Sequence, residues 1–410
     1  MRIKFNRYVP PASLRILAWN ANGLRSKKKE LEELLRREHI DIALINETHF
    51  NGSDRMGIAN YVVYNNNRDG RGGGTAIYVR KHLPHHRVVT PPLTSLEASI
   101  VCTHTTRGDI NLVAAYRQPR KNLHHNDLHS VMEMNNTPTI LAGDLNSKNT
   151  GWDCRTTNVN GRLLQSYIDR TATQIRAPST PTFFGAIGEP DILDIALVRG
   201  VDLTEDPVVL NELSSDHNPL LLQIGPDVPN IEEYTTRRTD WNGYQRRVAE
   251  LLPDVGRDIT GTDDLEEVAV SFGACITRAL NDTTTTIRRT AGQYYIIPTR
   301  IRAIIKQRRQ QKKKYQRTLD PGEKRLLNRL NNMVKEELRD FHNERWREKL
   351  DSLEVQDNSL FRMAKALTRK KTTIPPLNGR NGTAYCMEEK LEAFADTMEA
   401  QFREKPHVRL

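Results

Sequence analysis

The sequence contains few cysteines and no long apolar run, and these two absences exclude several classes of protein. The four cysteines among its 410 residues are Cys102, Cys154, Cys275 and Cys386, and no two of them form a CxxC pair. Their spacing argues against a zinc site or a disulfide framework and favours a reducing compartment. No stretch approaches the ~20 apolar residues of a membrane span, and the N-terminus lacks the apolar core of a secretory signal. We therefore expect no membrane partner and no secretion.

Positive charge exceeds negative charge, and the excess lies mainly in the second half. The chain has 61 Lys and Arg against 51 Asp and Glu, a net charge of +10. Residues 1–225 hold 26 basic and 23 acidic side chains, whereas residues 226–410 hold 35 and 28. A basic region of this kind attracts polyanions, so nucleic acid is a candidate partner.

The pattern of the sequence changes near residue 225. Residues 14–225 alternate short apolar strands with helices and Gly/Asn/Pro turns, which predicts a sheet-rich α/β sandwich. The segment 226–240 begins with a Gly/Pro/Asn-rich stretch typical of a linker, and residues 241–410 show mainly helical, charged patterns. With a short N-terminal extension at 1–13, the length and pattern predict two domains, an α/β domain and a basic helical region.

Polar side chains recur directly after the predicted apolar strands. They are Asn20, Asn22, Glu47, Asp144, Asn146, Asp194, Asp216 and His217. Strand ends of a layered α/β domain bring distant residues to one rim, and oxygen ligands with one imidazole suit Mg²⁺ better than Zn²⁺. Because such a cation stabilises charge on a phosphoryl oxygen, the pattern indicates phosphodiester hydrolysis. Each residue alone also fits a turn or a helix cap, so only the complete pattern favours a site.

The same residues lie in motifs that resemble, in order, those of the exonuclease III and apurinic-endonuclease group. The motifs are residues 17–24 (LAWNANGL), the strand-end Glu47, Tyr116, residues 143–146 (GDLN), residues 191–195 (DILDI) and residues 215–217 (SDH). The resemblance implies a DNase I-like α/β fold, which is a four-layered two-sheet sandwich flanked by helices. In this chain the mainly helical basic region follows it.

The resemblance also implies a metal shell. Glu47 is its principal ligand, and Asn22 and Asp216 assist. Asn20 supports these ligands without binding the metal. The implied cofactor is Mg²⁺, with Mn²⁺ as an alternative.

Five further residues are implied to be catalytic. Asp144 orients or deprotonates the attacking water, and Asn146 holds the phosphate in line. His217 contacts the phosphate or acts as a base, and Asp194 fixes the tautomer of His217. Tyr116 faces the scissile phosphate. The division of roles between Asp144 and His217 stays open.

Longer segments around the motifs resemble one branch of the family, the jockey-type non-LTR retrotransposon endonucleases. The segments are residues 46–48, 71–79, 116–119, 143–149 with Trp152, and 214–219. This resemblance implies that the chain nicks one strand of double-stranded target DNA and exposes a 3′-hydroxyl that primes reverse transcription. It implies nuclear action after synthesis in the cytoplasm. Two alternatives stay open: another phosphoesterase of the same fold, such as a repair nuclease or a phosphatase, or a decayed copy that only binds nucleic acid.

Residues 241–410 resemble the connector that precedes the reverse transcriptase in such elements. The basic stretch 300–317, the basic run 369–371 and the helical pattern 390–402 carry this resemblance. The candidate contacts to DNA, or to the RNA of the element, are Arg300, Arg302, Lys306, Arg308, Arg309, Lys312, Lys313 and Lys314.

A polymerase catalytic pair is absent from the sequence. Residues 394–397 (FADT) lack the second aspartate of the polymerase motif. We interpret Leu391, Phe394, Met398 and Phe402 as the packing face of a helix. No reverse transcriptase activity is expected, and we expect the chain to be a fragment or truncated copy that ends before the polymerase.

Overall fold

The structure is a computed structural model of the chain. It describes residues 13–225 except 69, 71, 186 and 187, and then residues 233–252, 261–290, 297–355, 358–368, 375–379, 382–384 and 387–402. Three predictions fall wholly or partly outside these residues: the N-terminal extension apart from Ser13, residues 226–232 of the linker, and the basic run 369–371.

Short segments of residues 13–225, most of them apolar, form twelve strands among the described residues. The strands are β1 (Leu14–Asn20), β2 (Ile42–Asn46), β3 (Tyr61–Asn66), β4 (Thr75–Arg80), β5 (His85–Val88), β6 (Leu96–Thr105), β7 (Gly108–Arg117), β8 (Thr139–Asp144), β9 (Gln174–Arg176), β10 (Asp194–Arg199), β11 (Val208–Val209) and β12 (Leu220–Ile224). The α-helices between them are α1 (Lys28–Arg37), α2 (His125–Met132) and α3 (Val159–Ile168). Short 3₁₀ turns lie at Arg25–Lys27, Met134–Asn136 and Thr150–Trp152.

These strands form two six-stranded mixed sheets. The first has the order β11-β12-β1-β2-β4-β3, and the second has the order β5-β6-β7-β8-β10-β9. Strands β1 and β2 are parallel, as are β7 and β8, while the other pairs are antiparallel. Every residue of β2 is buried, which is expected of a strand covered on both faces.

Apolar side chains hold the layers together. Residues such as Leu44 of the first sheet and Leu112 of the second share one buried cluster between the sheets. Leu34 of α1 packs with Trp19 on the outer face of the first sheet, and α2 and α3 pack in the same way on the second. The four-layered α/β sandwich predicted from the sequence is therefore confirmed.

The glycine-rich segment after β3 forms the turn of a hairpin. Strands β3 and β4 pair antiparallel, with Asn66 opposite Thr75. Gly74 has a φ of 82°, and a β-carbon added to it would lie 2.7 Å from Oγ1 of Thr48. Only glycine fits there, because the backbone is left-handed and the Thr48 side chain is close.

Residues 229–297 form a second compact unit. Its described elements are β13 (Glu233–Thr239), α4 (Trp241–Leu251), α5 (Thr262–Thr283) and β14 (Thr284–Thr290). Strands β13 and β14 pair antiparallel in full register. The sequence indicated mainly helix here, so the two-stranded sheet is a correction.

Two long helices follow and belong to the first unit. They are α6 (Thr299–Thr318) and α7 (Pro321–Asp351), and they pack against each other as a helical hairpin. Leu319 closes α6 with a φ of 53°, and the Asp320 side chain caps α7 by accepting from the Glu323 amide at 2.8 Å. The bounds of α6 are close to those of the basic stretch 300–317.

The helical hairpin is fixed to the sandwich by buried charge. Arg308 is 3% exposed; it forms an ion pair with Glu30 of α1 and another with Glu212 at 3.3 Å. Lys312 donates to the carbonyl oxygens of Glu212 and Leu213 at 2.7 and 2.9 Å. The helical region predicted over 241–410 is therefore divided between the two units. Its described residues up to 297 belong to the second unit, and those from 298 onward belong to the same unit as the sandwich.

The remaining described elements are short. They are α8 (Ser359–Thr368), β15 (Leu377–Gly379), β16 (Gly382–Ala384) and α9 (Met387–Phe402), with β15 and β16 paired antiparallel. Leu391 and Phe394 are 62% and 60% exposed, so our interpretation of α9 as packed along that face is wrong for these two residues. The Phe402 side chain lies outside the described part. Among the described helices, none combines the length and apolar composition of a membrane span.

We predict that Arg308→Met strongly destabilises the first unit. Glu30 and Glu212 are buried, and breaking a buried ion pair costs about 3–5 kcal/mol because a charge remains uncompensated. Urea unfolding of the full chain, followed by tryptophan fluorescence, measures the loss. Arg309→Met is the matched control: Arg309 also pairs with Glu212 but its side chain is 40% exposed, so its loss should stay below about 1 kcal/mol. Equal losses would contradict the assignment.

Asp127 gives a second, pH-dependent prediction. The Asp127 carboxylate accepts from the Thr94, Ser95 and Leu96 amides and from the Ser95 hydroxyl. Burial tends to raise the pKa of Asp127, but these hydrogen bonds outweigh burial and lower it. Because the folded pKa is depressed, the stabilisation is complete above about pH 4, the unfolded value, and is lost as the pH falls through the folded value.

Asp127→Asn should therefore reduce the free energy of unfolding by about 1–3 kcal/mol at pH 7. The difference from the wild type should shrink as the pH falls below 4. Urea titrations at pH 7 and at pH 3 measure both values. A difference that is the same at both pH values would contradict the prediction.

Candidate active site

Strand register brings the predicted polar residues to one end of the sandwich. Asn20 ends β1 opposite Asn46 of the parallel strand β2, and Glu47 follows directly. In the other sheet, Asp144 at the end of β8 lies opposite Asp194 at the start of β10. The ends of the two sheets therefore face each other across a short gap.

Asn20 lies at the centre of this group. Its Nδ2 donates to Oε1 of Glu47 at 2.8 Å and to Oδ2 of Asp144 at 3.0 Å. Its Oδ1 accepts from the Asn22 amide at 3.0 Å. Asn20 is completely buried, so these contacts fix its side chain and link the two sheets.

The three predicted metal ligands lie on the more open side of Asn20. Nδ2 of Asn22 donates to Oδ1 of Asp216 at 3.2 Å, and Oε2 of Glu47 lies 3.2 Å from Nε2 of His49. Burial tends to raise the pKa of Asp216, but His217 and the Asn22 hydrogen bond outweigh it and lower the pKa. Asp216 therefore stays ionised at neutral pH.

Several of these residues have strained backbones. Asn22, Glu47 and Asn146 have φ values of 42°, 49° and 49°. Left-handed conformations are unfavourable for residues other than glycine, and they concentrate where function requires a particular side-chain direction. Here the strain occurs at residues that the sequence assigned to metal and phosphate.

His217 lies between two aspartates on the buried side. Its Nδ1 is 2.7 Å from Oδ2 of Asp194, and its Nε2 is 3.7 Å from Oδ2 of Asp144. Burial opposes the charge on His217, but Asp194, Asp144 and Asp216 outweigh it and raise the pKa of the imidazole to about 10. His217 is therefore cationic at neutral pH, and its Nδ1–H donates to Asp194.

Asp144 has a raised pKa. Burial is the main cause, and Asp194 and Glu47 add to it, whereas His217 and the Asn20 hydrogen bond oppose it. Oδ1 of Asp144 accepts from the Asn146 amide at 3.0 Å. A carboxylate held in this way takes up a proton more readily than an exposed aspartate.

Tyr116 and Asn146 complete the predicted set. Burial, together with Glu47 and Asp144, raises the pKa of Tyr116, whose hydroxyl is hydrogen-bonded to Glu47. Nδ2 of Asn146 donates to the Arg117 carbonyl at 2.9 Å. All nine residues predicted for the metal shell and the chemistry therefore lie at this end of the sandwich.

Two basic residues at the site were missed by the sequence reasoning. Arg117 is 1% exposed and donates to the carbonyl oxygens of Leu145 and Asn146 at 2.6 and 2.9 Å, which holds the segment after β8. Lys27 donates to the carbonyls of Ala21 and Asn22, and burial, with Lys335, lowers its pKa to about 8. Arg117 lies inside a quoted motif, but nothing in a sequence shows that a cation is buried.

The donor set fits a hard divalent cation. The carboxylates of Glu47, Asp144, Asp194 and Asp216 lie around the single cationic imidazole of His217, so negative charge is in excess. Among the described residues, no three His, Cys, Asp or Glu side chains form an enclosed metal cage. Mg²⁺ needs none, because it binds through one or two carboxylates and otherwise keeps waters and phosphate oxygens. Glu47, Asp216 and the Asn22 amide are the groups that would hold it.

The predicted nucleic-acid contacts on α6 are divided by the structure. Arg308 and Lys312 are buried against α1 and residues 212–213, so the prediction that they contact nucleic acid is wrong. Their charge is used within the fold. Arg309 and Lys314 pair with Glu212 and Glu323, and the exposed members of the set are Arg300, Arg302, Lys306, Lys313 and Lys314. For these exposed residues, contact with nucleic acid stays a prediction.

Comparison with known proteins shows which family and which relatives the sequence is similar to. The model of the endonuclease/exonuclease/phosphatase family matches residues 17–217. The chain is 28% identical over 406 residues to a probable RNA-directed DNA polymerase from the transposon X-element of Drosophila melanogaster, covering 95% of this chain and 44% of that protein. It is 26% identical over 408 residues to the RNA-directed DNA polymerase from the mobile element jockey of Drosophila funebris, with the same coverage.

The chain thus spans less than half the length of these curated relatives. Among solved structures, the endonuclease domain of TRAS1, a telomere-specific non-LTR retrotransposon, is 21% identical with a TM-score of 0.45, covering 52% of this chain and 100% of that one. Residues 17–217, which make up most of the sandwich, therefore match the endonuclease/exonuclease/phosphatase family, and the chain as a whole is similar to transposon polymerase proteins.

Proposed function

We propose that the chain nicks one strand of double-stranded DNA by metal-dependent phosphodiester hydrolysis. The observation that carries this proposal is the arrangement of His217 between Asp194 and Asp144, next to Glu47 and Asp216. Buried acid–base groups lie on one side, and the partly exposed carboxylates of Glu47 and Asp216 lie on the other. Such an arrangement suits a phosphate placed between a cation and a proton-transfer group.

The residues that would hold the cation are oriented by hydrogen bonds. Mg²⁺, or Mn²⁺, held by Glu47, Asp216 and Asn22 would stabilise negative charge on the phosphoryl oxygens. Glu47 presents a carboxylate whose Oε1 is oriented by Asn20 at 2.8 Å. Asp216 is held by Asn22 and by the Ser215 hydroxyl at 3.1 Å. These hydrogen bonds orient the ligand oxygens before any cation arrives.

The hydrolytic side provides the proton transfers. Asp144 is positioned to orient the attacking water and to accept its proton, because its raised pKa favours protonation. His217 is cationic, so its Nε2–H donates a hydrogen bond to the phosphate. Asp194 holds Nδ1–H and keeps the ring in that orientation.

Two neutral groups position the phosphate in this proposal. Tyr116 keeps its proton, because its pKa is raised, and its hydroxyl faces the site through Glu47. Asn146 is fixed by its strained backbone and by the Arg117 carbonyl. The guanidinium of Arg68 lies 5.8 Å from the centre of the Tyr116 ring and is ion-paired with Glu97.

In the cell, the nick would have a defined use and a defined location. Hydrolysis that leaves a 3′-hydroxyl would prime reverse transcription, as the similarity to transposon polymerase proteins suggests. The substrate would then be chromosomal DNA, which places the activity in the nucleus after cytoplasmic synthesis. The exposed basic residues of α6 are candidate contacts for that DNA or for the RNA of the element.

We predict that the full chain converts supercoiled plasmid to the nicked circle in Mg²⁺ and that EDTA stops the reaction. Glu47→Gln should remove an anionic ligand and His217→Ala the charged donor, and each should lower the rate on the order of 10²–10⁴-fold. Glu205→Gln is the control, since Glu205 is an exposed glutamate outside the site. Agarose gels and the initial rates measure the effect. Hydrolysis of a soluble phosphomonoester without plasmid nicking would favour a phosphatase instead.

The chemistry of the nick gives a further prediction. Attack of water on phosphorus from the side of Asp144, with the 3′-oxygen as leaving group, yields a 3′-hydroxyl and a 5′-phosphate. A DNA polymerase should therefore extend the nick directly, and DNA ligase should reseal it. A requirement for phosphatase treatment before extension would show the opposite polarity of cleavage and would contradict the priming role.

A further inference from the structure

A polar cavity lies between the active-site loop and the helical hairpin. We call it the hairpin cavity; its volume is about 280 Å³. Asn22 and Asp216 line it on the sandwich side, and Lys324 and Asn328 of α7 line it on the other. The cavity therefore borders two of the groups that would hold the cation.

Positive charge dominates the hairpin cavity. Lys27, Lys312 and Lys324 line it, and Asp216 is the only carboxylate among its lining residues. The ammonium groups of Lys27 and Lys312 are hydrogen-bonded to backbone carbonyls, not to carboxylates. Carbonyl oxygens bring no net negative charge into the cavity. Burial lowers the pKa of both buried lysines, so Lys324 is the cation on which the attraction for an anion mainly depends.

Lys324 is the most accessible of the three cations. Lys27 and Lys312 are buried, whereas Lys324 is half-buried, and its Nζ lies 5.4 Å from the centre of the Tyr315 ring. The aromatic face holds the ammonium group at the cavity wall without providing a negative charge. Lys324 can therefore contact an anion that enters from solvent.

The position of the cavity identifies the anion. A DNA strand whose scissile phosphate lies beside Asn22 and Asp216 must continue in both directions from that point. The hairpin cavity begins at the same two side chains. A neighbouring phosphodiester of the strand is the anion that the strand itself delivers there, and lysine ammonium groups bind phosphate as point charges.

We propose that the hairpin cavity binds a backbone phosphate of the nicked DNA strand, next to the scissile phosphate, with Lys324 as the contact from α7. This inference rests on the proposed nuclease function and makes the helical hairpin part of the substrate-binding surface. It assigns DNA contact to α7, where the sequence reasoning placed nucleic-acid contacts on α6.

The first test measures binding by the full chain without divalent metal, so it does not depend on catalysis. Fluorescence anisotropy of a labelled DNA duplex, over a range of NaCl concentrations, gives Kd and its salt dependence. Lys324→Ala should weaken binding and reduce the slope of log K against log[salt] by about 0.9, the value for one phosphate contact. Arg325→Ala removes the same charge from the neighbouring, exposed position outside the cavity, and it should leave the slope unchanged.

Folding and ligand identity need their own controls. Lys324→Arg retains the charge and should restore the slope, and a thermal melt of each variant checks the fold. An equal loss of slope in Lys324→Ala and Arg325→Ala, or no loss in either, overturns the proposal. A slope change with single-stranded RNA but not with duplex DNA also overturns it, because the site would then bind RNA.

The second test locates the phosphate. A duplex with one mapped nick site carries a neutral methylphosphonate linkage at a single position next to that site. In the wild type this linkage should raise the KM for nicking, and in Lys324→Ala the same linkage should have no further effect. If the neutral linkage raises the KM of Lys324→Ala by the same factor as it raises the KM of the wild type, the proposal is overturned. A chain that binds DNA with the expected slope change but never nicks would instead count against the proposed function alone.

Discussion

One buried amide joins the two sheets where the functional residues lie. Asn20 donates to Glu47, which follows a strand of the first sheet, and to Asp144, which ends a strand of the second. An aspartate at position 20 could not donate to either carboxylate and would add a further negative charge. The distance between the metal side and the hydrolytic side is therefore set by an uncharged donor.

The electrostatics of the site follow from this arrangement. Carboxylates from both sheets meet around a single imidazole, and burial makes each unbalanced charge more costly than it would be in water. The protein satisfies part of this charge by keeping His217 protonated against Asp194. The remaining negative charge would be balanced by a divalent cation, which would also reduce the repulsion between these carboxylates and a phosphate.

The sequence predicted the parts that depend on local pattern. Alternating apolar segments fixed the strands, and polar residues such as Glu47 and Asp194 at their ends marked the site, because strand ends share a rim. It could not predict that Arg308 is buried, since its partner Glu30 is 278 residues away in the chain. It also missed β13 and β14, whose Thr- and Arg-rich sequences lack an apolar alternation. Burial of charge and pairing of polar strands depend on distant partners that a local pattern does not contain.

The buried contact of Arg308 with Glu30 and Glu212 has a consequence for how the protein is made. A ribosome releases the sandwich, residues 14–225, well before it has synthesised α6. During that interval Glu30 lacks Arg308, Glu212 has only its ion pair with Arg37, and the carbonyls of residues 212 and 213 lack Lys312. The segment that leads into Ser215, Asp216 and His217 gains its final support only when α6 arrives. The sandwich thus reaches its final structure only after α6 has been synthesised, although α6 follows all of the active-site motifs in the chain.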